Sequence, residues 1–292
     1  MFDFRYHALS LAGVFIALVL GLLLGVAIGD AGLVSSAEHD IRTSLRVDVR
    51  RANQRADSVQ SELEVSQRYE REVYPLLVAG QLEGARIGLV FLGGSSESIA
   101  RHVKSALSGT GGTLANVAVV REPLDRGALA GRAEGTRYAS VNADPDNPDL
   151  DLVEALGVRM GVQYVAPGPL IKRERATLFD AFNGGLEMLN AVVIVRNPPG
   201  MKGIDDRVAE RFEQGFARGM HDTGIQVVGV EQTDTDPSQI SWYEDRALSS
   251  VDSIDRNSGR AALVFALHGA DGTFGVKSTA QALLPDVAGS SG

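Results

Sequence analysis

Residues 86–96 read RIGLVFLGGSS, an apolar run that ends in two glycines and two serines. A continuous apolar run of this length is typical of a strand that is buried on both faces of a parallel sheet. Further runs of this kind occupy residues 114–120, 190–195, 225–230 and, as the last strand, 261–267. Helical stretches separate most of them, so the sequence predicts an α/β fold, a mostly parallel α/β sandwich, over residues 84–287.

The predicted helices of this domain lie between the strands. They are expected at about 97–107, 150–156, 171–182 and, as a clearly amphipathic helix, 205–221, with a further apolar segment at 162–166. Residues 288–292 are small and polar, and we expect them to form a flexible tail.

An uncharged stretch precedes this domain. Residues 8–28 contain 21 consecutive uncharged residues, and a helix of that length is about 31 Å long, which matches the hydrocarbon core of a bilayer. A cleaved signal peptide would need a basic leader, a shorter apolar run and a small-residue cleavage site, which residues 27–29 do not provide. The sequence therefore predicts an uncleaved, single-pass transmembrane anchor after a short N-terminal tail, residues 1–7.

The charges beside the anchor do not decide its orientation, because Arg5 precedes it while Arg42 and Arg46 follow it. The simpler topology keeps the short tail inside and places the long C-terminal domain outside the cytoplasm. We therefore expect a plasma-membrane protein with an extracytoplasmic domain in the cell envelope.

Small residues recur every fourth position along the anchor and form one stripe: Gly13, Ala17, Gly21, Gly25 and Gly29. Such a stripe allows two transmembrane helices to pack closely and predicts self-association. The alternative is a chance register, because glycine and alanine are common in membrane helices.

A polar, helix-favouring region without glycine covers residues 35–79 and begins with SSAE at 35–38, the pattern of a capping box. Alternating steps of four and three residues align an apolar seam: Leu45, Val49, Ala52, Ala56, Val59 and Leu63. This heptad spacing predicts a coiled coil and, with the anchor, a homodimer. Ser66 and Glu70 interrupt the seam, and a single helix packed on its own domain is the alternative interpretation.

Composition excludes several classes of function. The chain has 28 lysines and arginines against 37 aspartates and glutamates, a net charge of −9, which argues against nucleic-acid binding. It contains no cysteine, so thiolate nucleophiles, disulfides and thiolate metal sites are excluded.

Local motifs point to structure rather than chemistry. Residues 93–96 lack the glycine spacing and lysine of phosphate-binding loops and predict a tight turn. The acidic run with Asp144, Asp146, Asp149 and Asp151 lacks the EF-hand pattern and predicts a solvated turn with a helix cap. Trp242 is expected to serve packing. The residues define no catalytic or cofactor-binding set, and any metal ligands stay unidentified, because histidines and methionines are scattered and only Met220 and His221 adjoin.

Three blocks together resemble the actinobacterial MctB family, which includes proteins called copper transporters and SteB-like cell-separation proteins. They are FDFRYHALSL at 2–11, SVDSID at 250–255 followed by GRAALV at 259–264, and FGVK at 274–277 with LLP at 283–285. The family often has Tyr where this chain has Phe274. The blocks are spread over nearly the whole chain.

The resemblance implies a membrane-anchored envelope protein with a role in copper transport or copper homeostasis, with copper as a transported ion rather than a cofactor. The alternative it implies is a non-catalytic dimeric scaffold that controls cell separation with membrane partners and peptidoglycan hydrolases. It supplies no catalytic residue, so we expect no enzymatic activity. A third, weaker hypothesis is a degenerate nucleotide-binding enzyme that uses Gly93 and Gly94.

Overall fold

A computed structural model describes residues 4–29 and 33–286, and side chains from Tyr6 to Gly29 and from Ile41 to Asp286. The predicted tail at 288–292 and the side chains of the predicted capping box at 35–38 lie outside this part of the chain. The chain divides between Arg68 and Tyr69 into two compact units.

The first unit consists of α-helical chain. Helix α1 covers Phe4–Gly29, and helix α2 covers Leu33–Val78 and continues into the second unit. Helix α1 therefore extends beyond the predicted span of 8–28 at both ends. Helix α2 has 46 residues and is about 69 Å long. It contains no glycine, and its one proline, Pro75, stands in the last turn.

A seven-stranded sheet forms the centre of the second unit, in the order β3-β2-β1-β4-β5-β6-β7. The strands are β1 (Arg86–Gly93), β2 (Thr113–Val120), β3 (Phe179–Gly184), β4 (Ala191–Asn197), β5 (Gln226–Val230), β6 (Ser249–Val251) and β7 (Thr273–Phe274). All neighbours pair in parallel except β2 and β3, which are antiparallel. The mostly parallel sheet predicted from the apolar runs is thereby confirmed.

Helices cover both faces of this sheet. They are α3 (Glu97–Ala106), α4 (Arg126–Arg132), a 3₁₀ turn (Arg137–Ser140), α5 (Leu150–Val165), α6 (Pro169–Leu178), α7 (Ile204–His221), α8 (Ile240–Glu244) and α9 (Asn257–His268). Side chains of β1 alternate between the faces: Val90 and Leu92 pack under α4–α8, whereas Leu89 and Phe91 pack under α3 and α9. This alternation builds two cores and the three layers of an α/β/α sandwich.

The prediction of a strand at 261–267 is wrong, because these residues lie in helix α9. Their side chains are almost all buried, so the segment is apolar on nearly every side and shows no helical periodicity. The last strands, β6 and β7, contain only three and two residues and leave no recognisable pattern.

Two other boundaries differ from the predictions. The segment at 162–166 continues helix α5 to Val165 and is not a separate element. The helix predicted to reach residue 182 ends at Leu178, and β3 begins at the next residue. The switch from helix to strand here depends on pairing with β2, which local sequence does not encode.

Helices α5 and α7 pack with their backbones in contact. Gly157 and Gly161 of α5 face Gly215 and Gly219 of α7, and a Cβ atom at any of the four would collide with backbone of the other helix. Each helix therefore carries a glycine-x-x-x-glycine motif. Glu154 of α5 adds ion pairs of 2.8 Å to two arginines of α7, Arg211 and Arg218.

The end of helix α2 is bound to the α/β unit. The Tyr74 hydroxyl donates a hydrogen bond to the carbonyl of Ala106 at 2.8 Å, and Val78 is fully buried. Burial raises the pKa of Tyr74 to about 12, although the Arg260 guanidinium opposes the shift. The last turn of α2 is thereby held against α3.

Candidate functional site

The small-residue stripe lies on an open face of α1. A Cβ built at Gly13, Gly21, Gly25 or Gly29 meets no other described atom within 4 Å, and Ala17 is exposed. Residues Tyr6–Gly29 have a mean hydropathy of 2.9 over the most apolar window and are not buried by the described chain. By length and composition α1 is a candidate membrane span, and its self-association stays a prediction.

The seam of α2 is also exposed. Leu45, Val49, Val59 and Leu63 are 57%, 55%, 64% and 48% exposed, and Ala52 and Ala56 are exposed as well. Exposed apolar side chains at heptad spacing leave a surface that a second helix could cover. The coiled coil itself stays a prediction.

The glycine turn after β1 lies where the strand order reverses, between β1 and β4, which is the usual ligand crevice of parallel sheets. Here the turn itself is bonded to the end of β4. The amide of Gly94 donates to the carbonyl of Asn197 at 2.9 Å, and the Asn197 amide group donates back to Gly94 O at 3.1 Å. A Cβ at Gly93, which has a φ of +82°, would collide with that same Asn197 carbonyl. The predicted structural turn is confirmed, and the Gly94 amide is already used within the protein.

The C-terminal sequence blocks meet at the carboxyl ends of β5, β6 and β7. Asp252, directly after β6, accepts hydrogen bonds of 2.8 Å from the amides of Val276 and Lys277. A side chain at Gly275 would collide with this carboxylate, so the turn requires glycine. The Lys277 ammonium donates to Glu231 at 2.5 Å and to the carbonyl of Thr235 at 3.0 Å.

Glu231 is thereby a buried anion with a full set of partners. Its side chain is 2% exposed, and besides Lys277 it accepts hydrogen bonds from the Ser238 hydroxyl at 2.7 Å and from the Gln239 amide at 2.6 Å. A buried ion pair with this many hydrogen bonds fixes geometry rather than offering a free ligand. The FGVK segment is therefore a structural part of the region at the carboxyl ends of the strands.

The remaining part of the SVDSID block also has structural roles. Asp255 accepts hydrogen bonds from the amide and hydroxyl of Thr233, and Arg260 donates to the carbonyls of Ile254 and Asp255. Gly259 lies against the carbonyl of Ser253, where a Cβ would collide. The block thus forms a turn that supports the first turn of α9.

A second group of buried charges lies at the carboxyl ends of the same strands and shares Gln239 with the first group. Arg196, at the end of β4, donates to Glu213 of α7 at 2.8 Å and to Gln239 at 2.8 Å. Glu122, which follows β2, faces Glu213, and the two buried carboxyl groups are close enough for a hydrogen bond between them. Burial first, and the charge of Glu213 second, raise the pKa of Glu122 to about 9.

One proton shared between these carboxyl groups accounts for their proximity. Burial also raises the pKa of Glu213, but Arg196 opposes this shift and favours the carboxylate form. Glu122 therefore holds the proton at neutral pH and can donate a hydrogen bond to Glu213. The pair then carries one negative charge beside one arginine.

Trp242 covers this group of charges, as its predicted packing role requires. The guanidinium carbons of Arg246 and Arg196 lie 4.0 and 5.1 Å from the centre of its ring. The side chain is 9% exposed, and two cations stacked on one indole hold α8 against the end of β4.

The acidic run forms the predicted turn and cap. Asp144 accepts hydrogen bonds from the amides of Asp146 and Asn147, and Asp149 accepts them from the amides of Asp151 and Leu152 at the start of α5. These carboxylates serve local backbone amides.

Within the described part of the chain, no group of three or more histidine, aspartate or glutamate side chains is arranged to hold a metal ion. Met160 and Met220 are fully buried in the core, whereas Met188 is exposed. A crevice of about 330 Å³ at the ends of β4 and β5 is lined by oxygen-bearing side chains such as Ser96, Gln232 and Asp234. Such oxygens suit hard cations better than Cu(I).

The roles of four buried charged residues were not predicted from the sequence: Glu122, Glu213, Glu231 and Lys277. One signal was available, because Glu231 directly follows the apolar run of β5 and Glu122 lies two residues beyond the end of β2. Polar residues at the carboxyl ends of parallel strands meet at one edge of the sheet.

Comparisons with known proteins match nearly the whole chain to one family. A family model described as "Copper transport outer membrane protein, MctB" matches residues 1–285. Proteins named copper transporter MctB from Mycobacterium bovis and Mycobacterium tuberculosis are 26% identical over 313 aligned residues, which cover 92% of this chain and 92% of each relative.

Proposed function

Because the chain belongs to the MctB family, described as copper transport outer membrane proteins, we propose that it is a membrane-anchored envelope protein that acts in copper transport or copper homeostasis. The match carries this proposal, since it covers the apolar helix and the α/β unit together rather than one of them. Relatives aligned over 92% of their own length are named copper transporters.

We further propose that α1 anchors the chain in the plasma membrane and that the α/β domain lies outside the cytoplasm. The length and hydropathy of Tyr6–Gly29 support a single span. A short N-terminal tail that stays inside requires only the C-terminal part to cross, and long domains cross largely regardless of their charge.

The protein's part in copper handling is proposed to be indirect and non-catalytic. One helix with a stripe of small residues has no polar face and cannot line an ion path alone. The buried carboxylates at the sheet edge are bound to lysine, arginine and backbone amides. This arrangement supports an assembly role, in which copies or partners of the chain handle the ion.

Deletion of the gene tests the copper proposal. We expect lower copper tolerance and altered cell-associated copper, both restored by the wild-type chain, with zinc tolerance as the metal control. A deletion strain with wild-type copper tolerance and copper content would contradict the proposal. Calorimetry on the detergent-solubilised full chain then asks whether copper binds to it directly.

The exposed seam favours a second candidate function, a SteB-like dimeric scaffold that controls cell separation through membrane partners and peptidoglycan hydrolases. In a parallel pair, Asp48, Arg55 and Glu62 at g positions would face Asn53, Gln60 and Gln67 at e positions of the other copy. No like charges meet in this register, and two anchors in one membrane favour the parallel orientation.

The seam variant Leu45→Asp with Val49→Asp tests this candidate. We expect the solubilised full chain to sediment as a monomer and to lose capture of its partners, because each aspartate would place a charge in the helix interface. The control variant, Gln54→Asp with Ser61→Asp, changes the same charge on the opposite side of α2. Unchanged sedimentation and unchanged partner capture by the seam variant would exclude the scaffold.

A further inference from the structure

Strand β3 forms one edge of the sheet and pairs with β2 alone among the described strands. It contains six residues, of which Asp180, Ala181, Asn183 and Gly184 are exposed. Proline and lysine, two residues that commonly protect an edge strand, are absent from it. Its outer side therefore presents backbone donors and acceptors to which an extended chain can bind.

The exposed surface of the helix that precedes this edge is cationic, although the whole chain is acidic. Helix α6 leads directly into β3, and its exposed Lys172 and Arg175 are three residues apart and share one helix face. The Arg175 guanidinium carbon lies 5.4 Å from the centre of the Phe182 ring on β3. Neither cation has an ion-pair partner among the described side chains, whereas Asp180 on β3 is paired with Arg121 at 2.8 Å.

The one acidic residue of α6 does not offset these charges. Glu174 is fully buried, and neither of its oxygens has a hydrogen-bond partner among the described atoms. Burial raises its pKa, although Arg132 and Arg173 oppose the shift. The outer surface of α6 is therefore left with its cations alone.

Charge decides which chain fits this edge. A second copy paired through β3 would bring its own Lys172 and Arg175 toward the same cations, which would repel. A chain with carboxylates on alternate residues would pair its backbone with β3 and bind both cations on one face of the new strand.

We propose that β3 is a docking edge for an extended acidic segment of a partner protein, which joins the sheet as an eighth strand and binds Lys172 and Arg175 through its carboxylates. The inference does not depend on copper handling or on the coiled coil. It identifies a protein surface rather than a metal site.

A fluorescent peptide of about eight residues with alternating glutamate and valine is the probe, with a lysine–valine peptide as its control. Anisotropy on the solubilised full chain should show binding of the acidic peptide alone, weakening as salt is raised. Lys172→Glu with Arg175→Glu should weaken binding by about tenfold or more. Arg101→Glu with Lys104→Glu on α3 makes the same charge change with the same spacing and should leave binding unchanged.

Hydrogen exchange separates strand addition from simple charge attraction. We expect the peptide to slow exchange of amides within β3 in the wild-type chain and in the α3 variant. Protection elsewhere, equal binding of both peptides, or undiminished binding to the α6 variant would overturn the proposal. A self-associated chain that dissociates when Lys172 and Arg175 are reversed would also overturn it, in favour of a second copy at this edge.

Discussion

Replacement of Glu122 by glutamine tests the shared proton at the end of β2. Glutamine keeps the shape of the protonated acid and can donate from its amide to Glu213, so the hydrogen bond is retained while the titration is lost. Glu213 keeps its 2.8 Å bond to Arg196. The variant therefore changes one protonation equilibrium and little else.

The magnitude follows from the difference in proton binding between the folded and unfolded chain. The pKa of Glu122 rises from 4.5 to about 9 on folding, so between these values the folded state holds a proton that the unfolded state has released. The free energy of unfolding must then fall as pH rises, by at most about 1.4 kcal/mol per pH unit for one proton. The stabilisation is complete below pH 4.5 and is lost as pH rises through about 9.

From about pH 6 to about pH 8, this proton accounts for a loss of up to about 2.7 kcal/mol in the wild-type protein. The Glu122→Gln variant should lack that part of the slope and should be the more stable protein at the higher pH. Urea unfolding of the solubilised full chain, followed by near-ultraviolet circular dichroism, measures both slopes.

Glu134→Gln, at an exposed position after α4, is the matched control and should follow the wild-type curve. Parallel curves for wild type and Glu122→Gln across this range would refute the shared proton. A variant that loses stability equally at every pH would show instead that Glu122 serves only packing.

Three further predictions follow from close contacts and from the open stripe. Gly161→Ala should lower the free energy of unfolding by about 2 kcal/mol or more, because its Cβ would collide with the carbonyl of Phe216. The control variant Gly131→Ala, in an open part of α4, should not destabilise the protein, and thermal unfolding measures both variants. Lys277→Met should cost about 3–5 kcal/mol, since it leaves Glu231 as a buried charge without its ion-pair partner, and urea unfolding measures the loss. Gly21→Leu should reduce self-association of the anchor in detergent, whereas Leu22→Ala, which lies off the stripe, should not. Energy transfer between labelled copies measures the association, and equal transfer in both variants would exclude the stripe as the contact.

The elements that could be predicted are those whose pattern is local. The apolar length of α1, the uninterrupted polar helix α2 and the runs that became β1, β2, β4 and β5 are all visible in short windows. Their order along the chain was enough to predict the α/β class, because alternating strands and helices favour parallel pairing.

The wrong prediction of the last strand also has a physical cause. Residues 261–267 form a helix that is buried on most sides, and burial on all sides removes the periodicity that distinguishes helix from strand. The α5–α7 crossing was encoded by paired glycines, yet their motif identifies a close contact without saying which helix supplies the other side.

The sequence by itself determined that this chain has a membrane-length apolar helix, a long polar helix and an α/β unit, because each depends on composition and period within one segment. Tertiary structure decided that the Gly93–Gly94 turn is closed by Asn197, that Lys277 neutralises Glu231, and that Glu122 meets Glu213 beside Arg196. These partners lie far apart in the chain. Only the crossing of parallel strands at one sheet edge brings them within the few ångströms over which carboxylates exchange protons and ion pairs form.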